Sequence, residues 1–547
     1  MLASYWSVIA IFHGKFGTTL EDGFKVSLTF STAWNMTETK TRKRTRRSRP
    51  EQDQTPEPPP VWPGINGGRF APLSSQERSQ VDETVLLLLE TLGLSQAIPS
   101  LIERVQRCGG ALSNDGRLLF PRELVSRFLD QVRRDVILYS RRDDLDLDLS
   151  GDHLHMSSGG GAPGVLDFER RGYREGTAQD LYNAARIVDC MEHIHHFSRS
   201  IVATDARTLV DLDVNTAYAC LAGTSKHVSV SITEAENVPA IADICYRLAG
   251  GEAAFRERPF LTVMVCHVVP PMRFAEEALA VLEAAVLAGF PVQLISAGQA
   301  GATSPATIAG SLVQAVAESL AGCILAWLVD PKARIIFAPK PLVADLRTGA
   351  MCGGGGEQAV LMAGAAQMGR HYDLPTSSIA GITDAKIPDA QHGAEKCLAV
   401  SLAAHAGSNL ITQACGMQAS LLGVSLEAYV IDNDMLGNIL RTVRGVEANV
   451  ENLSREVIDE VCRGEGHYLG HAQTLERMKR DYVYPELGDR QTPADWEAEG
   501  SKDILCNART RMLQILESPA PSYINPDVES YIRQHYNILV SYPEMGD

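Results

Sequence analysis

The sequence lacks paired cysteines. Its eleven cysteines are spread singly over 547 residues, and no two of them stand in a Cys-x-x-Cys pair. Zinc ribbons and disulfide-stabilised folds depend on such pairs, so the spacing argues against both and predicts reduced, mostly buried thiols. Reduced thiols are typical of the cytosol, and we therefore expect a cytoplasmic protein.

Long apolar runs and export signals are also missing. The longest apolar run that we identify, Leu320–Val329, ends at Asp330 and is shorter than the roughly 18 to 20 residues of a spanning helix. Residues 1–16 are mildly apolar but begin without positive charge, and no clear cleavage site follows them. We expect neither a transmembrane segment nor a signal peptide, and no membrane partner.

Positive charge is scarce outside one short stretch. The chain has 50 Lys and Arg against 67 Asp and Glu, a net charge of −17, although residues 40–50 form a basic run. The rest of the chain is more acidic still and would repel nucleic-acid phosphates, so we expect no nucleic-acid partner. A hydrophobic content of 45% and a charged content of 21% are those of an ordinary globular protein.

Familiar phosphate-binding and hydrolase motifs are absent. Four glycines and the first residues of a predicted helix follow one another as Gly353, Gly354, Gly355, Gly356, Glu357 and Gln358. They lack the Lys-Ser/Thr of a P-loop and the third glycine of a dinucleotide fingerprint. We expect the glycines to let the backbone approach a bulky partner or cofactor, with a mobile or tightly bent loop as the alternative. No nucleophile elbow is present, so acyl-transfer hydrolysis has no support.

Two histidine clusters invite a metal interpretation. They are His153-x-His155 and His193-x-His195-His196. A zinc site needs three or four converging ligands, and neither cluster has a companion that the sequence places beside it. We expect packed or surface histidines and no metal site.

Composition and periodicity divide the chain into four regions. Residues 1–75 form a basic, Pro-rich tail with too little apolar surface to fold, which predicts disorder. Residues 76–195 predict helices and a small antiparallel sheet that includes His153–Met156. Residues 196–435 alternate strands and helices, and residues 436–547 predict a charged helical region that packs on the alternating one.

The alternating region predicts an α/β fold, a TIM (β/α)8 barrel with an N-terminal α+β extension and a C-terminal helical elaboration. Its candidate strands are Phe197–Ala203, His227–Ile232, Leu261–Val268, Val292–Ala297, Arg334–Ala338, Thr376–Ile382 and Asn409–Gln413, with Leu426–Ile431 as the eighth. Repeated strand–helix units without a dinucleotide fingerprint favour a barrel over a doubly wound sheet.

Polar residues follow several of these strands. They are Asp205, Gln299, the tip Thr383-Asp384-Ala385-Lys386, and Gln413. In a barrel the carboxyl ends of the strands carry the chemistry, although hydrogen bonding within the rim explains such residues equally well. We expect Asp205, Gln299 and Gln413 to bind substrate.

Three segments resemble the trimethylamine methyltransferase family. They are Gln299-Ala-Gly-Ala-Thr-Ser-Pro-Ala-Thr, Gly381-Ile-Thr-Asp-Ala-Lys-Ile-Pro-Asp-Ala-Gln and Gly466-His-Tyr-Leu-Gly-His-Ala-Gln-Thr-Leu, within a resemblance that runs from about Glu83 to Leu516. The resemblance implies a corrinoid-dependent methyltransferase on a TIM barrel. The barrel would hold a methylated quaternary or tertiary amine, while a separate small corrinoid protein presents its cobalamin, as in methanogenesis and related one-carbon metabolism.

This resemblance also suggests roles for individual residues. Asp384 and Lys386 become the candidate catalytic residues, and the glycines from Gly353 to Gly356 the candidate contacts to the corrinoid. Glu357 and Tyr372 join the candidate substrate-binding residues, with core packing as the alternative for Tyr372. No cobalamin-binding Asp-x-His-x-x-Gly motif occurs in the chain, so we expect no tightly bound cofactor. Separately, we expect the chain to form a homo-oligomer.

The archetype of this family carries pyrrolysine inside the barrel, whereas this chain has only standard residues. A neutral tertiary amine is a poor leaving group unless its nitrogen is activated, but a quaternary ammonium departs as a neutral amine. The chain is therefore expected to demethylate a quaternary amine resembling glycine betaine. Two alternatives stay open: a demethylase that passes the methyl group to a folate, and a betaine-binding barrel without catalysis.

Overall fold

The structure is a computed structural model that describes residues 62–464, 466–520 and 523–541. Residues 1–61, which form most of the predicted tail, lie outside the described residues. Their predicted disorder therefore stays a prediction. The end of that predicted tail belongs to the fold, because Ile65 is buried and pairs with Leu154.

Short strands alternate with longer helices along the described chain. The strands are β1 Ile65–Asn66, β2 Leu94–Ser95, β3 Ala111–Leu112, β4 Arg117–Leu119, β5 Ile137–Leu138, β6 Leu147–Asp148, β7 His153–Met156, β8 Gly164–Asp167, β9 Gly172–Glu175, β10 Phe197–Ser198, β11 Val228–Val230, β12 Leu261–Val265, β13 Val292–Ser296, β14 Gln299–Ala300, β15 Ile335–Pro339, β16 Leu342–Ala344, β17 Met351–Cys352, β18 Ser377–Ile379, β19 Leu410–Thr412, β20 Met417–Gln418 and β21 Gly423–Val424. The α-helices are Ser75–Thr91, Pro99–Arg107, Arg122–Gln131, Ala178–Asp189, Leu209–Gly223, Val238–Ala249, Glu252–Glu257, Glu276–Leu287, Ile308–Val329, Gly356–His371, Ala390–Ala406, Leu426–Arg444, Arg455–Arg463, Ala472–Arg480, Pro493–Ala498, Ile504–Glu517 and Pro526–His535.

Eight parallel strands form the centre of this mixed α/β fold. Strands β10, β11, β12, β13 and β15 pair in that order, and β7, β19 and β18 pair in a second parallel set. Isolated parallel bridges join the two sets at both edges, between Ser157 and His196 and between Phe337 and Thr376. The pairings thus link β7, β10, β11, β12, β13, β15, β18 and β19 in cyclic order, with all their carboxyl ends on one side.

The eighth of these strands is not the one that the sequence predicts. Leu426–Ile431 opens the helix Leu426–Arg444, whose N-cap residue Ser425 accepts a hydrogen bond from the Ala428 amide. The missing strand is β7, which the sequence assigns to a separate antiparallel sheet. β7 does pair antiparallel with β1, but its other edge pairs parallel with β19, so the parallel set begins before residue 196.

A small sheet crosses the carboxyl side of the parallel strands. β14 pairs parallel with β16, and β16 pairs antiparallel with β17. These strands come from the segments that follow β13 and β15, so the sheet fixes the position of both segments. β17 leads directly into the four glycines.

The helix Ile308–Val329 is longer than the apolar run Leu320–Val329 that the sequence analysis identifies. Its 22 residues are long and apolar enough to cross a membrane, but 83% of its most apolar stretch is buried inside the fold. The helix packs against β13 and β15. Its core position accounts for its apolar character without a membrane.

A buried ion-pair network joins the helices Ala390–Ala406 and Leu426–Arg444. Asp432 accepts hydrogen bonds from Lys396 Nζ and His392 Nε2, each at 2.8 Å, and from the Gly416 amide at 2.8 Å. The Lys396 and Asp432 side chains are fully buried. Burial alone would raise the pKa of Asp432, but Lys396 and His392 lower it to about 2.

Asp432→Asn is expected to destabilise the fold by about 3 to 5 kcal/mol, because it leaves the Lys396 charge buried without a counter-ion. Denaturant unfolding measures the loss. The matched control is Asp243→Asn, which removes the partly exposed pair with Arg247 and should cost about 0.5 kcal/mol or less. Since the pKa of Asp432 is lowered from 3.8 to about 2, its stabilisation is complete above pH of about 4 and is lost as the pH falls towards 2. Equal losses in both variants would contradict this account.

Candidate active site

The carboxyl ends of the eight parallel strands meet in one region, which we call the mouth. It is formed by the residues that directly follow each strand: Ser157 after β7, Arg199 after β10, Ser231 after β11, Cys266 after β12, Ala297 after β13, Lys340 after β15, Ala380 after β18 and Gln413 after β19. Most of these side chains are polar or ionisable. A polar mouth above an apolar core is where a parallel α/β fold places its ligands.

Asp384 holds the glycine segment. One of its carboxylate oxygens accepts hydrogen bonds from the Gly353 amide at 2.8 Å and from Ser420 Oγ. The other accepts from the Gly354 amide at 3.2 Å and from Cys352 Sγ at 3.1 Å. Burial alone would raise the pKa of Asp384, but these hydrogen bonds lower it. The carboxylate is therefore ionised and fully occupied by its own chain.

Two of the four glycines pack closely against their own chain. A Cβ on Gly353 would lie 2.0 Å from Ile382 Cγ2, and one on Gly354 would lie 2.1 Å from Glu395 Cδ, whereas one on Gly356 would meet nothing within 4 Å. Asp384 anchors this loop through the Gly353 and Gly354 amides. The catalytic role of Asp384 and the cofactor contacts of Gly353, Gly354, Gly355 and Gly356 stay predictions.

Lys386, Glu357 and Asp205 lie on the exposed part of the rim. The Lys386 ammonium folds back and donates to the Asp384 carbonyl at 2.6 Å. Glu357 is exposed in the first turn of the helix Gly356–His371. Asp205 is exposed and accepts from the Ala178 amide at 3.0 Å, which caps another helix. Asp205 therefore has a structural task, while substrate binding by Glu357 and catalysis by Lys386 stay predictions.

Tyr372 lies at the wrong end of the strands for a substrate contact. It caps the helix Gly356–His371 immediately before β18, on the amino side of that strand. Its hydroxyl donates to Asp82 Oδ1 at 2.8 Å, and its ring packs edge-on against Phe337. These contacts are those of a packed residue, and substrate binding by Tyr372 stays a prediction.

Gln413 lies at the carboxyl end of β19, as the sequence predicts, and its backbone is strained. It follows β19 with a φ of +59°, a conformation that residues other than glycine rarely adopt and that is often found at functional sites. With its amide oriented to match its neighbours, Oε1 accepts from the Gly160 amide at 3.0 Å and the nitrogen donates to Thr412. A Cβ on Gly159 would lie 3.1 Å from this amide and 3.3 Å from Ser198, so Gly159 lets the three segments meet.

Gln299 lies apart from this cluster, in β14 of the small crossing sheet. Its carbonyl accepts from the Thr303 amide at 2.9 Å and from the Ser304 amide at 3.0 Å, and its amide donates to Thr303 Oγ1 at 2.8 Å. These bonds build the turn of the first segment that carries the resemblance. The half-buried Gln299 side chain remains a predicted substrate contact.

Lys340 is the residue of the mouth that sequence reasoning missed. It follows β15 and is only 2% exposed, and its Nζ donates to Thr412 Oγ1 at 2.8 Å. Thr412 also contacts the Gln413 amide, so one hydroxyl brings Lys340 and Gln413 together. Burial lowers the pKa of Lys340 to about 7. A lysine two residues after the predicted strand Arg334–Ala338 was the available signal, but its burial was not visible in the sequence.

Neutral histidines form the floor beneath the mouth. His196 bonds to Ser157 Oγ at 2.6 Å and to Ser229 Oγ at 2.9 Å, and it stacks on His227. Burial lowers the pKa of His196 well below its usual value and that of His227 to about 3. Both rings are therefore neutral and partnered within the fold. Among the described residues, no three His, Cys, Asp or Glu side chains converge as metal ligands.

The sequence and the fold were compared with those of known proteins. The family model described as trimethylamine methyltransferase matches residues 42–537. A trimethylamine methyltransferase of Desulfitobacterium hafniense strain DSM 10664 / DCB-2 is 28% identical, with 86% of this chain and 94% of that protein aligned. A glycine betaine methyltransferase of strain Y51 of the same species is 26% identical, with 84% of this chain and 95% of that protein aligned. A solved monomethylamine methyltransferase of Methanosarcina barkeri is 13% identical, covers 80% of this chain and 92% of its own, and has a TM-score of 0.45.

Gly353→Ala is expected to lower the thermal unfolding temperature, because its Cβ would overlap both Cγ2 and Cβ of Ile382, an overpacking cost of about 1 to 3 kcal/mol. The matched control is Gly356→Ala, three residues along the same segment, where an added Cβ meets nothing within 4 Å. The control should unfold at the wild-type temperature or slightly above it, since alanine favours a helix. An unchanged unfolding temperature for Gly353→Ala would show that Gly353 does not pack on Ile382.

Proposed function

Because the chain belongs to the trimethylamine methyltransferase family, we propose that it transfers a methyl group from a quaternary amine resembling glycine betaine to the Co(I) of a separate corrinoid protein. The observation that carries the proposal is the match of the family model to nearly the whole chain, in a sequence built only from standard residues. The two named relatives act on trimethylamine and on glycine betaine by their names. The alignments cover most of each relative, which supports the same class of reaction here.

The leaving group decides between these two substrates. Demethylation of neutral trimethylamine would expel an amide anion unless the nitrogen were first activated. A quaternary ammonium expels a neutral amine, so it needs neither a general acid nor a special activating residue from the chain. This chemistry favours the quaternary amine.

The chain's own contribution would then be orientation and exclusion of water. We take the cyclic set of eight strands to be the predicted (β/α)8 barrel, with the substrate bound at its mouth. Holding the methyl carbon in line with the acceptor can supply several kcal/mol of the barrier. The neutral histidine floor and the Lys340–Thr412 pair are buried beneath such a complex.

The corrinoid enters this scheme as the methyl acceptor, and its Co(I) supplies the nucleophile. Gly353 and Gly354 pack on Ile382 and Glu395, whereas an added Cβ on Gly356 would meet nothing within 4 Å. Contact between this glycine segment and the corrinoid stays a prediction. The cytoplasmic location and self-association stay predictions.

Mixing the purified chain with free cob(I)alamin and single methylated amines tests the function. Absorbance spectra should show methylcobalamin with quaternary amines and much less with trimethylamine, and the purified chain should be colourless. Methylation of tetrahydrofolate in place of cob(I)alamin would favour the folate-dependent alternative. Tight binding of betaine without transfer to either acceptor would favour the non-catalytic one. Stoichiometric cobalamin in the purified chain would contradict a separate carrier.

A further inference from the structure

Three lysines are buried in the described part of the chain, and two of them have complete sets of partners. The Lys226 ammonium donates to the carbonyls of Val188, Met191 and Ile194 at 2.6 to 2.7 Å. Lys396 pairs with the Asp432 carboxylate at 2.8 Å. Each of these lysines ties elements of the fold together, and its partners compensate for the burial of its charge.

Lys340 is the exception. Within the described residues its ammonium has one hydrogen-bond partner, the neutral hydroxyl of Thr412, and no salt bridge. That hydroxyl itself donates to the Ser378 carbonyl at 2.9 Å. Two of the three ammonium hydrogens are therefore left without an acceptor in a buried position, which is costly unless a ligand supplies one.

The surroundings of Lys340 favour an anionic ligand. Two other carboxyl groups on this side of the strands are already engaged: Glu318 by Ser296, Met272 and Gln314, and Asp384 by the glycine segment. The Gln413 amide adjoins the same threonine. A carboxylate at this point would accept from the ammonium and offset its charge.

We infer that Lys340 binds the carboxylate of the substrate, so that the methylated amine is a zwitterion held with its carboxylate inward and its quaternary nitrogen towards the opening of the mouth. The inference rests on the proposed function and specifies its substrate class. In this orientation the methyl groups face the side from which an external acceptor must approach. Lys340 acts as a binding and specificity residue and takes no part in bond making.

The same arrangement discriminates against amines without a carboxylate. Such a cation would enter a mouth that already holds the Lys340 ammonium, and the two like charges would repel each other at short range in a poorly solvated site. With a carboxylate between them, each cation has an anionic neighbour. Selectivity thus depends on one buried charge.

Lys340→Met, which preserves chain length and removes the charge, tests the inference through calorimetric binding of three probes. Glycine betaine carries both charges, choline carries only the cation, and 3,3-dimethylbutyrate carries only the carboxylate on a neutral tert-butyl group. We expect at least tenfold weaker binding of glycine betaine and of 3,3-dimethylbutyrate, with binding of choline unchanged or tighter. The control Lys332→Met alters an exposed lysine just before β15 and should bind all three probes as wild type does.

The outcomes separate this inference from the proposed function. Equal effects of Lys340→Met on all three probes, or no effect on any, would overturn the role of Lys340 even if cob(I)alamin is still methylated. Wild-type protein that methylates cob(I)alamin from choline but not from glycine betaine would overturn the zwitterion while leaving methyl transfer intact. Failure of every methylated amine to bind or react would instead refute the proposed function.

A pH profile of the wild-type protein decides the matter if Lys340→Met does not fold. Burial lowers the pKa of Lys340 to about 7, and the titratable groups that interact with it are Cys266 after β12 and the neutral His196 before β10. Affinity for 3,3-dimethylbutyrate, which is ionised throughout the range, should fall as the pH rises above about 7, whereas affinity for choline should not fall. Parallel profiles for the two probes would contradict the assignment.

Discussion

The parallel bridge between Ser157 and His196 is the contact on which the mouth depends. It joins β7 to β10, while β7 pairs with β19 on its other side. Without β7 the two parallel sets would have a gap between them, and the segments that carry Gln413 and Ser198 would not meet across Gly159. The hydrogen bond between Ser157 Oγ and His196 Nδ1 fixes the same junction by side chains, which explains why polar residues occur there in a buried strand pair.

Much of the parallel set was predictable from the sequence. Five of its strands lie within the predicted segments, β15 extends one residue beyond its segment, and β10 occupies the start of a seventh. The place of β7 in the parallel set was not predictable. The alternation of His153, Leu154, His155 and Met156 is typical of a strand with one solvent-exposed face. In the structure Leu154, His155 and Met156 are all buried, and His155 Nε2 reaches the Asp148 carbonyl at 2.7 Å. A pattern of residue types does not reveal that a polar side chain has a partner contributed by another segment.

The same limit applies to the site. Gln413 and the tip around Asp384 follow parallel strands, as the sequence predicts, and their functional roles stay predictions. Sequence reasoning had no means to show that all the acceptor positions of Asp384 are taken by its own loop, or that Lys340 lacks such partners. Both facts depend on contacts between segments far apart in the chain. The Asp384 carboxylate thus organises the rim, and Lys340 is the group that we propose for ligand binding.

In the proposed function, the mouth orients a small charged molecule above the histidine floor and an external acceptor takes the methyl group. Methyl transfer itself is the central claim, and isotopic labelling tests it most directly. With glycine betaine carrying carbon-13 in its N-methyl groups and an excess of cob(I)alamin, the account predicts labelled methylcobalamin and dimethylglycine in a one-to-one ratio. Dimethylglycine formed without label on cobalt, or no dimethylglycine at all, would contradict it.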